Sequence, residues 1–318
     1  MQTRLTELLN IRLPVIQGGL AYLAYADLAA AVSAAGGLGQ ITAASFQTAE
    51  DLRREIARAR QATDRPFGVN FALGHWEWEA HLEVAAEEQV PVISVTGGNP
   101  EPVFRRLEGL PVKKLVLVAG VRQAQKAEAL GADAVIAVGF EGGGHLGRDD
   151  LGTLVLVARI VDSVRIPVAA SGGIADGRGL AAALALGADG VEMGTRFVAT
   201  RECRAHPAYK EALLRAGEAD TVVIERSLGR PGRALRSGFT EAILEREAAG
   251  TGVADLLPYI GGAANRRAAL EGRLDEGFAW AGQASGLIQD IPSVAELLSR
   301  MEEEAGQAWQ RLGGALDR

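Results

Sequence analysis

Pro167-Val-Ala-Ala-Ser-Gly-Gly-Ile-Ala-Asp-Gly-Arg-Gly-Leu-Ala-Ala-Ala-Leu-Ala-Leu-Gly-Ala-Asp-Gly-Val-Glu-Met-Gly-Thr-Arg-Phe197 holds the pattern that decides the fold. Val168 to Ala170 is a short apolar run after a proline and reads as a buried strand. Ser171-Gly172-Gly173 lets the backbone turn sharply. Leu180 to Leu186 is a run of strong helix formers closed by Gly187. Gly190 to Met193 reads as a second strand, and Gly194-Thr195 as a second glycine turn. Strand, turn, helix, strand and turn follow within the length of one βαβ unit. Glycine turns let backbone N–H groups approach an anion, and a helix N-terminus beyond them adds a favourable dipole. Two such turns on adjacent parallel strands predict a phosphate cradle at Gly172, Gly173 and Gly194; the other reading is that these glycines only make tight turns. No G-x-G-x-x-G fingerprint stands at the first βα turn, so a dinucleotide fold of that kind is not indicated.

The same rhythm runs back to the N-terminus. Strands are predicted at Leu13–Gln17, Leu38–Ile41, Phe67–Phe71, Val90–Val95, Leu115–Val118 and Ala134–Val138, before the two above. Helical patterns separate them at residues 24–34, 48–62, 76–89, 100–107, 122–130 and 153–164. Strict alternation without a hairpin signal implies a parallel sheet with right-handed crossovers, and eight units close as an α/β TIM (β/α)8 barrel. An open doubly wound sheet is the competing architecture. Residues 200–279 break the pattern, being charged and mostly helical with one strand candidate at Thr221–Ile224. They are expected to form an inserted, mainly helical subdomain after strand eight. The barrel domain then comprises residues 1–199 and 280–318, its closing helix starting at Ser293.

Composition sets outer limits. In 318 residues, 48% are hydrophobic and 23% charged, and 40 are glycine, which suits many βα turns. A net charge of −7 gives no basic field for nucleic acid or anionic membrane. A single cysteine, Cys203, excludes an internal disulfide and a cysteine-based zinc cluster and fits the cytoplasm. The start lacks an apolar leader, and no uncharged apolar run reaches the length of a membrane span.

A barrel places its chemistry beyond the C-terminal ends of its strands. There the sequence offers Gly18-Gly19, then Asn70 and His75, then Thr96-Gly-Gly-Asn99, then Glu141-Gly-Gly-Gly-His145-Leu-Gly147 and the two phosphate turns. His145, in a glycine loop, can accept a proton near neutral pH. Asn70 can read a ring edge with an amide that donates and accepts, or simply end a strand. Trp76, Trp78 and Phe71 are open candidates for a pocket wall. His81 is expected on a solvated helix face and His206 at a helix start. Glu141 can orient the glycine loop or stand as an exposed carboxylate, the second being the default. The scattered histidines predict no metal site.

Leu13-Pro-Val-Ile-Gln-Gly-Gly19, Ala35-Gly-Gly-Leu-Gly39, Gly68-Val-Asn70, Glu141 to Gly147, Ser171 to Gly177, Met193-Gly-Thr-Arg-Phe197 and Ala281-Gly-Gln283 together resemble the nitronate monooxygenases, over nearly the whole chain. Flavin-dependent type II enoyl-acyl-carrier-protein reductases and NADH:quinone reductases share the pattern. The resemblance implies an FMN-dependent oxidoreductase that oxidises alkyl nitronates or nitroalkanes with O2. His145 is then the catalytic histidine. The FMN contacts are Gly18, Gly19, Asn70, Gly143, Gly144, Gly172, Gly173, Glu192, Met193, Gly194, Thr195 and Gln283. Two residues depart from the family pattern: Val138 stands where glutamine or glutamate is common, and Glu192 where glutamine is common. NAD(P)H as a co-substrate and a homodimeric assembly stay open, as do an enoyl-thioester or quinone reductase and a non-catalytic FMN-binding barrel.

Overall fold

The computed structural model describes residues 1–74 and 76–316; His75 lies outside them. Strands are numbered in chain order. The barrel consists of β1 (Val15–Gln17), β2 (Gly39–Thr42), β3 (Phe67–Ala72), β4 (Val92–Thr96), β5 (Lys113–Val118), β6 (Ala134–Val138), β8 (Val168–Ser171) and β9 (Gly190–Met193). All neighbours run parallel, in the order β1-β9-β8-β6-β5-β4-β3-β2. Closure is made by Gln17 N donating to Leu38 O and Leu38 N to Val15 O, each at 2.9 Å. The intervening helices bury one stripe each against the outward side chains, as Leu52, Ile56 and Ala59 do on helix Ala49–Ala62.

Alternation along each strand explains how the interior is divided. On β6, Val135 and Ala137 join the layer between sheet and helices, while Ala134, Ile136 and Val138 point inward. The lower interior is apolar, with Ile16, Leu38, Val92, Leu115, Ile136 and Ala169 packed against Leu5 and Leu9 of helix Arg4–Leu9. That helix was not legible in the sequence; it plugs the barrel's floor. One layer higher the inward residues turn polar. Asn70 pairs across the ladder with Ser94, and Ser171 with Glu192. The barrel is therefore closed by hydrocarbon below and opens into a polar ring above.

Close helix–sheet packing sets a first prediction. A Cβ on Gly39 would overlap the carbonyl oxygen of Ala29 on helix Ala26–Ala34. Gly39→Ala should destabilise the protein by about 1–3 kcal/mol, the usual cost of overpacking. Thermal unfolding followed by circular dichroism should show a midpoint several degrees lower.

Beyond β9 the chain makes an excursion containing helices Pro207–Arg215, Gly238–Ala248, Val253–Ile260 and Gly262–Glu271. It also contains two strands, β10 (Thr221–Ile224) and β11 (Gly232–Leu235), which pair antiparallel. Gly-Arg-Ala-Leu has no apolar run, so β11 and its hairpin left no signal in the pattern. Val222, Ile224, Ala234, Ile243, Leu256, Ile260, Ala264 and Phe278 form a cluster of the excursion's own. Tyr209, Leu213, Ala268 and Ala269 pack instead with the main core. The short strand β7 (Gly144–His145), from the loop after β6, joins β11 as the third strand of this small sheet.

Candidate active site

A cavity of about 220 Å³ occupies the polar top of the barrel. It is lined by all the expected contacts except Gln283: Gly18, Gly19, Asn70, Gly143, Gly144, His145, Gly172, Gly173, Glu192, Met193, Gly194 and Thr195. Gln283 is represented there by its neighbours Gly282 and Ala284, while its own backbone N–H donates to Glu141 O at 2.9 Å. Trp76, Trp78 and Phe71 lie outside the lining. Phe71 is core, the Trp76 indole donates to Ala72 O at 2.7 Å, and Trp78 sits under the Arg106 guanidinium.

Asn70 is 4% exposed and its orientation is fixed. Its amide nitrogen donates to Ser94 Oγ at 2.9 Å and Thr96 Oγ1 at 3.0 Å, which turns the carbonyl oxygen towards Gly19. A Cβ on Gly19 would overlap that oxygen, so only glycine lets the first loop close over it. With both donors engaged, Asn70 offers the cavity an acceptor.

Gly172 and Gly173 have φ of +97° and +75°, the left-handed region that favours glycine. The backbone N–H groups of Gly172, Gly173, Gly194 and Thr195 have no protein acceptor among the described residues. These are free donors on adjacent strands. The helix beyond the first turn, Gly177–Ala185, is not the source of a dipole for this cradle. Asp176 accepts from Arg178 N and Gly179 N, and Glu304 from Gly177 N, so its first amides are occupied by carboxylates. Thr195 holds the returning chain: its hydroxyl oxygen accepts from Gly282 N at 2.9 Å. Arg196 and Phe197 of the same motif are buried beneath the cavity, Arg196 donating to Ala199 O and Asp290 O.

Glu141 is not a free surface carboxylate. It accepts from both the backbone N–H and the hydroxyl of Thr153 at 2.8 Å, which caps helix Thr153–Val161. Thr153 Oγ1 also lies 3.0 Å from Gly172 O, so one threonine ties the histidine loop to the Gly172-Gly173 turn.

His145 stands at the cavity mouth on β7, registered opposite Gly232 of β11. Leu146 N donates to Pro231 O and Arg148 Nε to Gly229 O, both at 2.8 Å. The excursion thus holds the His145 loop in place. His145 is solvent-exposed, with Trp280 5.2 Å from one side of its ring. Desolvation by the surrounding protein, followed by the positive charge of Arg230, pushes the His145 pKa below its ordinary value. That direction favours the unprotonated ring, the form that can act as a base.

Tyr209, Asn265, Ala269 and Trp280 complete an arm of the cavity lined also by Leu20, Leu23, Ala44 and Val198. Tyr209 and Asn265 left no sequence signal, because they reach the site from helices whose docking pairing patterns do not encode. His81 differs from expectation. It is 5% exposed, with Nε2 3.2 Å from Phe46 O and its ring against Trp76, and burial lowers its pKa. His206 caps helix Pro207–Arg215, its Nδ1 accepting from Ala208 N. No group of three or more potential metal ligands occurs among the described residues.

A family model described as nitronate monooxygenase matches residues 2–77 and 71–304. A probable nitronate monooxygenase of Staphylococcus saprophyticus is 32% identical over 98% of this chain and 99% of its own length. A (3aS,4S,5R,7aS)-5-hydroxy-7a-methyl-1-oxo-octahydro-1H-indene-4-carboxyl-CoA dehydrogenase of Mycobacterium tuberculosis is 34% identical over 96% of both. Among solved structures, FabK from Thermotoga maritima superposes with a TM-score of 0.94 at 44% identity, covering 99% of each chain. A nitroalkane oxidase from Streptomyces ansochromogenes gives 0.83 at 32% identity, covering 98% of this chain and all of that one.

Proposed function

Since this chain belongs to the nitronate monooxygenase family and is an oxidoreductase, we propose that it binds FMN and oxidises alkyl nitronates with O2. The observation that carries the reading is that one cavity is lined both by His145, on its glycine loop, and by the glycine turns at Gly172, Gly173, Gly194 and Thr195, whose backbone N–H groups have no protein acceptor among the described residues. Gly172, Gly173, Gly194 and Thr195 would hold the phosphate through their N–H groups, and Asn70 would accept from the flavin. The donor set fits a monophosphate: the amides sit on two adjacent turns. When bound, FMN supplies electron acceptance and the reaction with O2.

His145 acts on the substrate itself. With a neutral nitroalkane, its unprotonated ring nitrogen takes the α-proton, and the C–H electron pair moves onto the nitro group to leave the nitronate. Arg230, whose charge reaches His145 although its guanidinium pairs with Glu225 at 3.0 Å, would favour that anion. A preformed nitronate needs no proton removed. Trp280, Leu23 and Val198 exclude water from the reacting carbon. The sole cysteine is buried and free, which suits the reducing cytoplasm.

The second reading is an NAD(P)H-dependent reductase of enoyl thioesters. The likeness to a carboxyl-CoA dehydrogenase favours it, as do the apolar residues Leu20, Leu23, Ala44 and Val198 that line part of the cavity. One stopped-flow experiment separates the two. Anaerobic mixing with a nitronate should bleach the yellow protein rapidly, and air should restore the colour. Bleaching by NADH or NADPH but not by nitronate would replace the first reading with the second. Acid-released cofactor should migrate as FMN on chromatography; FAD, or no flavin from well-folded protein, would contradict the cofactor assignment.

A further inference from the structure

Glu192 points from β9 into the cavity at 7% exposure, and no cation pairs with it among the described residues. From β8 it meets the hydroxyl of Ser171, which donates to Oε2 at 2.9 Å. From β1 it meets only backbone: a Cβ on Gly18 would stand 3.0 Å from Cδ and 3.1 Å from Oε1. The other titratable groups of the cavity wall are Glu141 and His145, on the loop after β6, and Tyr209, on helix Pro207–Arg215; Glu141 is already engaged by Thr153, and the Tyr209 hydroxyl donates to Trp280 O while burial raises its pKa, keeping it uncharged. An ionised carboxylate can accept about four hydrogen bonds, and here one is supplied. Removal of water from such a group penalises its charged form. Burial already pushes the Glu192 pKa up to about 7, against the opposing hydrogen bond from Ser171.

A flavin filling the cavity would displace the remaining water around Oε1. It brings a phosphate dianion, which the proposed donors Gly194 and Thr195 would hold just beyond Glu192 on the same strand end and which disfavours a second negative charge, and ring carbonyls that can accept from a carboxylic acid. We propose that Glu192 takes up a proton when FMN binds: the free site exchanges between carboxylate and acid, and the flavin selects the acid, whose O–H donates to it. The inference rests on the FMN reading above. Glutamine, common at this position in the family, would supply the same donor without a proton; the glutamate makes flavin binding pH-linked.

Linkage fixes the sign. A group whose pKa rises on binding favours the complex fully below its free value, and the advantage is lost as pH climbs through the bound value. Protein stripped of flavin and titrated with FMN between about pH 7 and 9 should lose affinity as pH rises, approaching tenfold per pH unit. Calorimetry in two buffers of different ionisation enthalpy should read a proton uptake that approaches one per flavin. Glu192→Gln should bind FMN with a flat profile and no proton uptake. Ser171→Ala removes the donor that favours the carboxylate, so the decline should begin at higher pH.

A flat wild-type profile, a decline that persists in Glu192→Gln, or a Glu192→Gln protein that folds but no longer takes FMN would each overturn the inference while leaving the FMN assignment in place. No FMN uptake by the wild type would overturn both.

Discussion

Gly173→Asp should empty the site of flavin while the barrel stays folded. Gly173 sits at φ +75°, and a Cβ there would lie 3.3 Å from Glu141 Cβ. Aspartate is among the residues that tolerate left-handed backbone best, so the conformational cost is of the order of 1–2 kcal/mol. That is small for a barrel held by a continuous core. The electrostatic consequence is larger. At about 4–5 Å and an effective dielectric near 20, each pair of like unit charges repels by roughly 3–4 kcal/mol. FMN affinity should therefore fall by about 10²–10³-fold for one such pair and by up to about 10⁴–10⁶-fold for both charges of a phosphate dianion. The ratio of flavin to protein absorbance after purification reads the effect directly. Gly173→Asn has nearly the same shape and no charge, and should keep most of the flavin. Equal loss in both variants would assign the effect to backbone strain; full occupancy in the aspartate variant would move the cradle elsewhere.

Why could the sequence lead to this turn but not to its surroundings? Each barrel strand is a local apolar run bounded by turn residues, and βαβ connectivity leaves little freedom once eight are counted. The inward polar ring was also encoded locally. Asn70, Ser94, Ser171 and Glu192 each fall on the inward phase of a strand whose lower inward positions are small or apolar. What local pattern could not carry was any contact made across the fold. Glu141 looked like a surface carboxylate because its acceptor role depends on Thr153, twelve residues away at a helix start. The first turn of helix Gly177–Ala185 looked open because Glu304, which occupies it, arrives from the C-terminal helix. β11 exists because β10 and the Gly144–His145 segment flank it, not because of its own residues. His81 shows the same limit: a polar side chain on an amphipathic helix was buried by the Phe46 loop and Trp76.

His145→Ala should discriminate between two substrates that differ by one proton. Loss of a positioned general base typically lowers rate by about 10²–10⁴-fold, and a neutral nitroalkane depends on that base. A preformed nitronate does not, so its turnover should fall far less, with flavin still bound because the phosphate donors are on other loops. Because burial and Arg230 hold the His145 pKa below its usual value, the unprotonated base persists to unusually low pH. For nitroalkane, kcat/KM should decline only on the acid side of that lowered pKa, as the ring gains its proton. Arg230→Gln removes the second cause of the shift and should move that acid limb to higher pH. The same argument limits what His145 does for the anion: a lowered pKa favours the uncharged ring, so attraction of a nitronate would fall to Arg230, and Arg230→Gln should raise KM for nitronate where His145→Ala leaves it near the wild-type value. Equal losses on both substrates in His145→Ala would assign the histidine to binding or to the flavin's surroundings. An unchanged rate on both would remove it from the chemistry and leave the Gly144–His145 strand as a structural clasp for the loop.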